Sequence, residues 1–219
     1  MSIQISGRMM WMSHGWSEPD DFKSHGGGIM ELTNGAEASV RVENGLVLKE
    51  RIPKRYRLPE LDERIRKERT RAESRIISEA RRLGVPTPII HDVENSIIRM
   101  QYIPGTALKH VINEELSERL GELVGLLHTG GIIHGDLTTS NIIYYNDRLY
   151  MIDFGLAFMS PAVEARGVDV HVLFQTFEST HRDHESLAKA FCRGYRRSFS
   201  GADEVLERVT EIEKRGRYA

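Results

Sequence analysis

Residues 134–143 read HGDLTTSNII, and residues 153–155 read DFG. Residues 141–154, NIIYYNDRLYMIDF, read as a hairpin turned at Asn146-Asp147. A hairpin folds the chain back on itself, so the loop before its first strand and the loop after its second end side by side. That placement brings Asp136, Asn141 and Asp153 together. Hard oxygen ligands of this kind suit Mg²⁺, which binds through one or two carboxylates and leaves its other positions to water and phosphate. A third group stays available to orient or deprotonate an acceptor. Asp, Asn, Thr and Ser are also ordinary turn and cap residues. The specificity lies in the pair of motifs at hairpin distance, which turn chemistry alone does not require.

Working outward, the chain changes character near its middle. Residues 31–50 are strand-like, with ASVRV and LVLKE joined at Asn44-Gly45. Pro59 opens a long helical pattern in which Leu61, Ile65, Ala72, Ile76, Ile77, Ala80 and Leu83 recur, and Gly84 stops it. TPIIHDVENSIIRMQYI predicts two further strands around Glu94-Asn95. Val111 to Thr129 reads as a helix closed by Gly130-Gly131, and the chain from about Ala165 is mostly helical. The expected fold is therefore α+β and two-lobed. Residues 30–103 form a β-rich N-lobe with one long helix, residues 104–219 a reduced helical C-lobe, and a crevice is expected near Ile103-Pro104-Gly105, where ligands favour a junction. Residues 1–29, with Trp11, Trp16 and three closing glycines, read as a flexible leader. The periodic pattern begins just after Met30, which makes Met30 a candidate start.

Composition narrows the classes. The 219 residues carry a formal net charge of -2, so nucleic acid can be met only through local patches. One cysteine, Cys192, excludes an internal disulfide or a zinc cage and points to a reducing, cytoplasmic setting. It is expected to be a small packed residue. No run approaches the roughly 18 apolar residues of a membrane span. His181 and His184, with His171 upstream, have a helical spacing but no completing ligands, and read as surface or capping residues.

The order H-x-D-x-x-x-x-N followed by D-F-G resembles the protein-kinase signature. The resemblance puts Asp136 in the place of the catalytic-loop aspartate and makes Asn141 and Asp153 the Mg²⁺ ligands. Upstream, Lys49 resembles the strand lysine that holds the α- and β-phosphates of ATP, and Glu73 its helix-borne partner. Lys54, Glu68 and Glu79 are alternatives; Lys49 is preferred because Leu46, Val47 and Leu48 build a strand before it. The linker after Met100, with Gln101, Tyr102 and Ile103, is expected to meet adenine. Three departures stand out. The Gly-rich loop is reduced to Gly35, Gly135 replaces an arginine that reads activation-loop phosphate, and only fifteen residues separate Asp153 from Asp169. No peptide-docking segment fits there.

NGAEASV, LVLKERIPKRYRLPELDERIRKERTRAES, GVPTPII, HGDLTTSNII and DFGLA…GVDVHVLFQTFESTH together resemble the small RIO-related kinase of the KEOPS complex, the PRPK-type family. The paired Thr138 and Thr139 sharpen the likeness, which runs from Glu31 to the C-terminus. The resemblance implies an atypical Ser/Thr kinase with ATPase activity. It would work beside the enzyme that installs threonylcarbamoyl on adenosine (t6A) in tRNAs reading ANN codons, with a small regulatory subunit on the N-lobe. Members are often fused to that enzyme in archaea; this chain is expected to stand alone. Asp169 is expected to open the helix that buttresses the catalytic loop. Residues 49–71 are markedly basic, either as a solvated helix face or as a surface for tRNA or an acidic partner, with Lys54, Arg55 and Arg57 as contributors. Lys214, Arg215 and Arg217 end the chain on the same theme, although cations also suit a helix C-terminus. Two rival readings are a small-molecule phosphotransferase of the aminoglycoside or choline kinase type and a non-catalytic nucleotide-sensing scaffold.

Overall fold

Alternation of apolar and polar residues builds the first sheet. In a computed structural model that describes residues 30–34 and 37–216, strands β1 (Met30–Asn34), β2 (Ala38–Glu43), β3 (Leu46–Arg51), β4 (Ile90–Glu94) and β5 (Ile97–Gln101) form one antiparallel sheet in the order β1-β2-β3-β5-β4. Gly35 and Arg217 lie outside the described residues, as does the leader 1–29. Asn44 (φ 51°) and Gly45 (φ 77°) supply the left-handed turn between β2 and β3, the geometry that Asn-Gly favours in a two-residue hairpin. Val40, Val42, Val47, Ile98 and Met100 fill the core of this sheet, with Ile90 and Tyr102 packed on them. Burial also pushes the Tyr102 phenol up to about 12.

Helix α1 (Pro59–Arg82) begins with proline at its first position, where the missing N–H costs no helical hydrogen bond. Asp62 in its first turn accepts from the Lys54 amide and from Arg66 Nε, the latter at 2.7 Å. The chain divides into two compact units. Among the described residues, one comprises the chain up to Arg75 together with 88–104, and the other residues 76–87 and the chain from Gly105 onward, so the last turns of α1 belong with the second unit.

The second unit is helical, with small sheets. Helix α2 (Glu114–Thr129) starts three residues later than Val111, because the Asn113 side chain caps it by accepting the Leu116 amide at 2.9 Å. A single turn of 3-10 helix, Leu108–His110, precedes it. Strands β6 (Thr106–Ala107), β8 (Ile142–Tyr145) and β9 (Arg148–Met151) form a three-stranded sheet, and β7 (Ile132–Ile133) pairs with β10 (Phe158–Met159). The β8–β9 turn is at Asn146 (φ 47°) and Asp147 (φ 57°). Helices α3 (Val163–Thr180), α4 (His184–Ser198) and α5 (Ala202–Gly216) complete the unit. Among the described residues, no helix is long and apolar enough to cross a membrane.

Helices α2 and α4 approach closely enough for glycine to be required. A Cβ on Gly194 would lie 1.9 Å from the Glu118 carbonyl oxygen, and one on Gly121 would lie 2.1 Å from that of Phe191. Flanking this seam, Arg193 and Arg197 of α4 pair with Glu118 of α2 at 2.9 and 2.5 Å, and Arg197 also meets Glu122. These exposed pairs add little individually; the backbone approach carries the packing. Gly194→Ala must push the helices apart and should destabilise the chain by about 1–3 kcal/mol or more. Urea unfolding checks this, the midpoint falling with an unchanged m-value.

Candidate functional site

The second unit holds the H-G-D and D-F-G loops. Strand β7 delivers His134, and the hairpin β8–β9 returns the chain to Asp153. The two loops are tied directly: Ile152 N donates to the Asn141 carbonyl at 2.9 Å, and His134 Nε2 contacts the Ile152 carbonyl at 3.1 Å. The His134 ring lies 4.8 Å from that of Phe154, and both side chains are buried. Asp153 has a left-handed φ of 60°, unusual for a residue other than glycine. Its Oδ1 accepts from Gly155 N at 3.4 Å.

Asn141 occupies the centre of this arrangement. Its Nδ2 donates to the Asp136 carbonyl oxygen at 2.9 Å and to Asp136 Oδ2 at 3.0 Å. Its Oδ1 is buried with no hydrogen-bond partner among the described residues. A buried amide oxygen left unsatisfied is costly unless something else meets it. A hard cation is a fitting partner, so Asn141 Oδ1 and the Asp153 carboxylate suit Mg²⁺. Among the described residues no group of three or more His, Cys, Asp or Glu forms a metal cluster, and this donor pair needs none, because Mg²⁺ takes few protein ligands.

Asp169 anchors the H-G-D loop. Its Oδ2 accepts the His134 amide and its Oδ1 the Gly135 amide, both at 2.9 Å. His128 Nε2 lies 3.3 Å from Oδ2, and His128 Nδ1 lies 2.6 Å from the Tyr195 hydroxyl. Burial pushes the Asp169 carboxyl up, but His128 and His134 outweigh it, so its net shift is below the ordinary value of 3.8. Asp169 does not open its helix as expected. Helix α3 starts at Val163, straight after Pro161-Ala162, and Asp169 projects from its interior. Nothing local in the sequence marks His128 or Tyr195 as members of this network; their signal is only their apolar-face position on helices α2 and α4.

Gly135 has φ 78°, and a Cβ there would meet the Leu156 carbonyl oxygen at 2.4 Å. The position that carries arginine in regulated kinases thus has no space for any side chain.

The first unit holds a second cluster. Lys49 and Arg51 are two apart on the central strand β3, so both project from one face. Glu73 on α1 meets both: Lys49 Nζ lies 2.5 Å from Oε1 and Arg51 Nη2 lies 2.6 Å from Oε2. The three side chains are 4, 7 and 2% exposed. Of the alternatives, Glu68 pairs with Arg64, Glu79 with Arg82 and Lys54 with Glu37, all near the surface. The sequence reading missed Arg51; its signal was the two-residue spacing from Lys49. In the linker, Gln101 Oε1 accepts the Ile89 amide at 3.3 Å and Ile103 is buried.

The basic candidates are largely engaged. Lys54 Nζ lies 3.6 Å from Glu37, and Arg57 lies 3.4 Å from Asp62 and stacks over Tyr56 at 5.2 Å. Arg55 is exposed, and so are Lys214 and Arg215, with Arg215 lying 3.7 Å from Glu211.

A lysine on the central strand of a five-stranded sheet paired with a helix-borne glutamate, with H-G-D and D-F-G loops in a helical unit, defines a protein-kinase-like chain. Comparison with known proteins extends this. The RIO domain family matches residues 49–190. "Probable bifunctional tRNA threonylcarbamoyladenosine biosynthesis protein" of Methanosarcina barkeri is 60% identical over 86% of this chain and 35% of its own length. "Probable serine/threonine-protein kinase BUD32 homolog" of Archaeoglobus fulgidus is 49% identical over 86% of this chain and 96% of its own. "KEOPS complex subunit Bud32" of Pyrococcus abyssi is 44% identical over 79% and 84%. The Rio2 kinase-ADP/Mg²⁺-phosphoaspartate complex of Chaetomium thermophilum shares the fold, with a TM-score of 0.58 at 15% identity over 85% of this chain and 70% of that one. The chain belongs to the RIO-domain family and, within it, to the Bud32 group. It spans about a third of the length of the bifunctional relatives that it matches.

Two measurements probe the anchor. Gly135→Ala should destabilise the chain by about 2 kcal/mol, since it adds both a left-handed alanine and a backbone clash; thermal unfolding reads this directly. Asp169→Asn tests the buried charge. The folded carboxyl is below 3.8, so its stabilisation is complete above that pH and disappears as the pH falls through the folded value. The wild-type advantage over Asn, about 3 kcal/mol at pH 7, should therefore shrink on acidification below about pH 4 in urea titrations, and a pH-independent gap contradicts the assignment.

Proposed function

We propose that this chain is a Mg²⁺-dependent, ATP-hydrolysing atypical Ser/Thr kinase that serves as a subunit of the KEOPS complex and supports t6A modification of tRNAs reading ANN codons. The observation that carries the chemistry is the buried, unsatisfied Asn141 Oδ1 beside an Asp136 held by the other end of the same amide. In this reading Lys49, oriented by Glu73, holds the α- and β-phosphates. Asn141 and Asp153 hold the metal, which, when bound, neutralises phosphate charge. Asp136 orients the attacking hydroxyl or water and accepts its proton. Gln101 and Ile103 border the adenine. Most of the rate enhancement then comes from positioning and electrostatics.

The cellular role rests on the names that the relatives carry. Its partners are the threonylcarbamoyltransferase, a small regulatory subunit on the first unit, and tRNA, met through Arg55 and Lys54 or through the basic end with Lys214, Arg215 and Arg217. A cytoplasmic location follows from that role. The short segment between Asp153 and Asp169 offers no peptide platform, which favours water or a residue of the chain itself as acceptor.

The test is ATP hydrolysis by the chain alone, with the transferase and with tRNA. Asp153→Ala and Asp136→Ala should each lower turnover by about a hundredfold or more while retaining the fold. Undiminished hydrolysis by Asp153→Ala contradicts the mechanism, and the absence of stimulation by transferase or tRNA contradicts the assembly.

A further inference from the structure

Glu73 does more than its half of a lysine–glutamate pair. Its two carboxylate oxygens are divided between two cations, Oε1 to Lys49 and Oε2 to Arg51, and the cluster is almost fully removed from solvent. Both cations come from the same face of one strand. Lys49 pairs in register with Val40 and Ile98, and Arg51 with Ala38, so the positions of both are set by the sheet itself. The Arg51 amide also donates to the Ser96 carbonyl at 3.0 Å, tying the end of β3 to the β4–β5 turn. The helix carrying Glu73 is thus held to β3 at two points 2.5 and 2.6 Å long rather than one. A carboxylate held by one cation can rotate about its side-chain torsions; one shared between two fixed cations cannot turn without breaking both contacts. Arg51 Nε is buried with no hydrogen-bond partner among the described residues, so the guanidinium is committed to Glu73 at some desolvation cost. A plain stabilising role would be filled as well by an apolar residue, since buried ion pairs seldom outdo one.

We propose that Arg51 is a positioning residue: it occupies Glu73 Oε2, fixes the carboxylate and helix α1 against β3, and so holds Lys49 in its phosphate-binding place. This rests on the reading of Lys49 as the phosphate-holding lysine. It makes the lysine–glutamate contact a fixed feature of the first unit, held from both carboxylate oxygens.

The test is ATP binding by the full chain with Mg²⁺, followed by the shift in melting temperature across an ATP titration, for wild type, Arg51→Met, Arg51→Lys, Lys49→Met and the double variant Lys49→Met/Arg51→Met. Arg51→Met should weaken ATP by about tenfold, and Arg51→Lys should recover most of that loss. In the Lys49→Met background, Arg51→Met should weaken ATP no further, because a residue that acts through Lys49 has nothing left to position. Additive losses, or ATP binding by Arg51→Met equal to wild type, overturn the proposal and leave the Lys49 reading intact. If Lys49→Met binds ATP as wild type does, the phosphate-holding reading itself fails. Should Arg51→Met not fold, Arg51→Gln, which removes the charge and keeps a hydrogen-bond donor, takes its place in the same cycle with the same expectations.

Discussion

The Asp169 carboxylate accepts two consecutive backbone amides, those of His134 and Gly135, from inside helix α3. Most of the second unit's candidate chemistry depends on that contact. A loop that turns sharply exposes N–H groups with no strand or helix partner, and burying them unsatisfied costs about 1–3 kcal/mol each. Asp169 satisfies two at once with charge-assisted bonds, and its own burial is offset by His128, whose Nε2 also approaches Oδ2. The contact also sets direction. With the amides of His134 and Gly135 pinned to α3, the next residue, Asp136, lies beside Asn141.

Glycine at 135 is a consequence of the same anchoring. The left-handed turn that aims its amide at Asp169 also leaves no room for a Cβ, which would meet the Leu156 carbonyl oxygen. An arginine there would collide with the backbone just after the D-F-G segment. Its absence is therefore built into how the two loops meet. The Arg193 and Arg197 pairs with α2 are a different matter. They decorate a helix seam that close glycine contacts create, and solvent screens them.

Much of the fold was legible because its signals are local. Asn44-Gly45, Asn95 and Asn146-Asp147 each mark a tight turn by a left-handed backbone, and Pro59 and Gly84 bracket the long helix. The α+β division followed from those signals alone. The start of α3 was not legible, because Ala162 offers no side-chain cap. Short strands such as β7 and β10 were missed, since two residues carry no periodicity. Within the candidate site, Asp136, Asn141 and Asp153 could be read because a hairpin joins them at fixed separation. His128, Tyr195 and Arg51 could not be, because their roles arise from packing between elements distant in sequence. Even there the strand period held a hint: any residue two places from Lys49 must share its face.

The two clusters follow one rule although they lie in different units. In each, a single buried carboxylate has both oxygens engaged: Asp169 by successive amides with His128 beside them, Glu73 by two cations on one strand face. A buried carboxylate with both oxygens occupied has no inexpensive alternative arrangement, because moving it strands a charge away from water. Bistable switching requires two arrangements that differ by only a few kcal/mol. Moving either carboxylate would break two short contacts at once, which makes such a second arrangement costly for both clusters. Under the kinase reading, control of turnover then falls more readily on what these clusters receive, nucleotide, acceptor or partner, than on their own assembly.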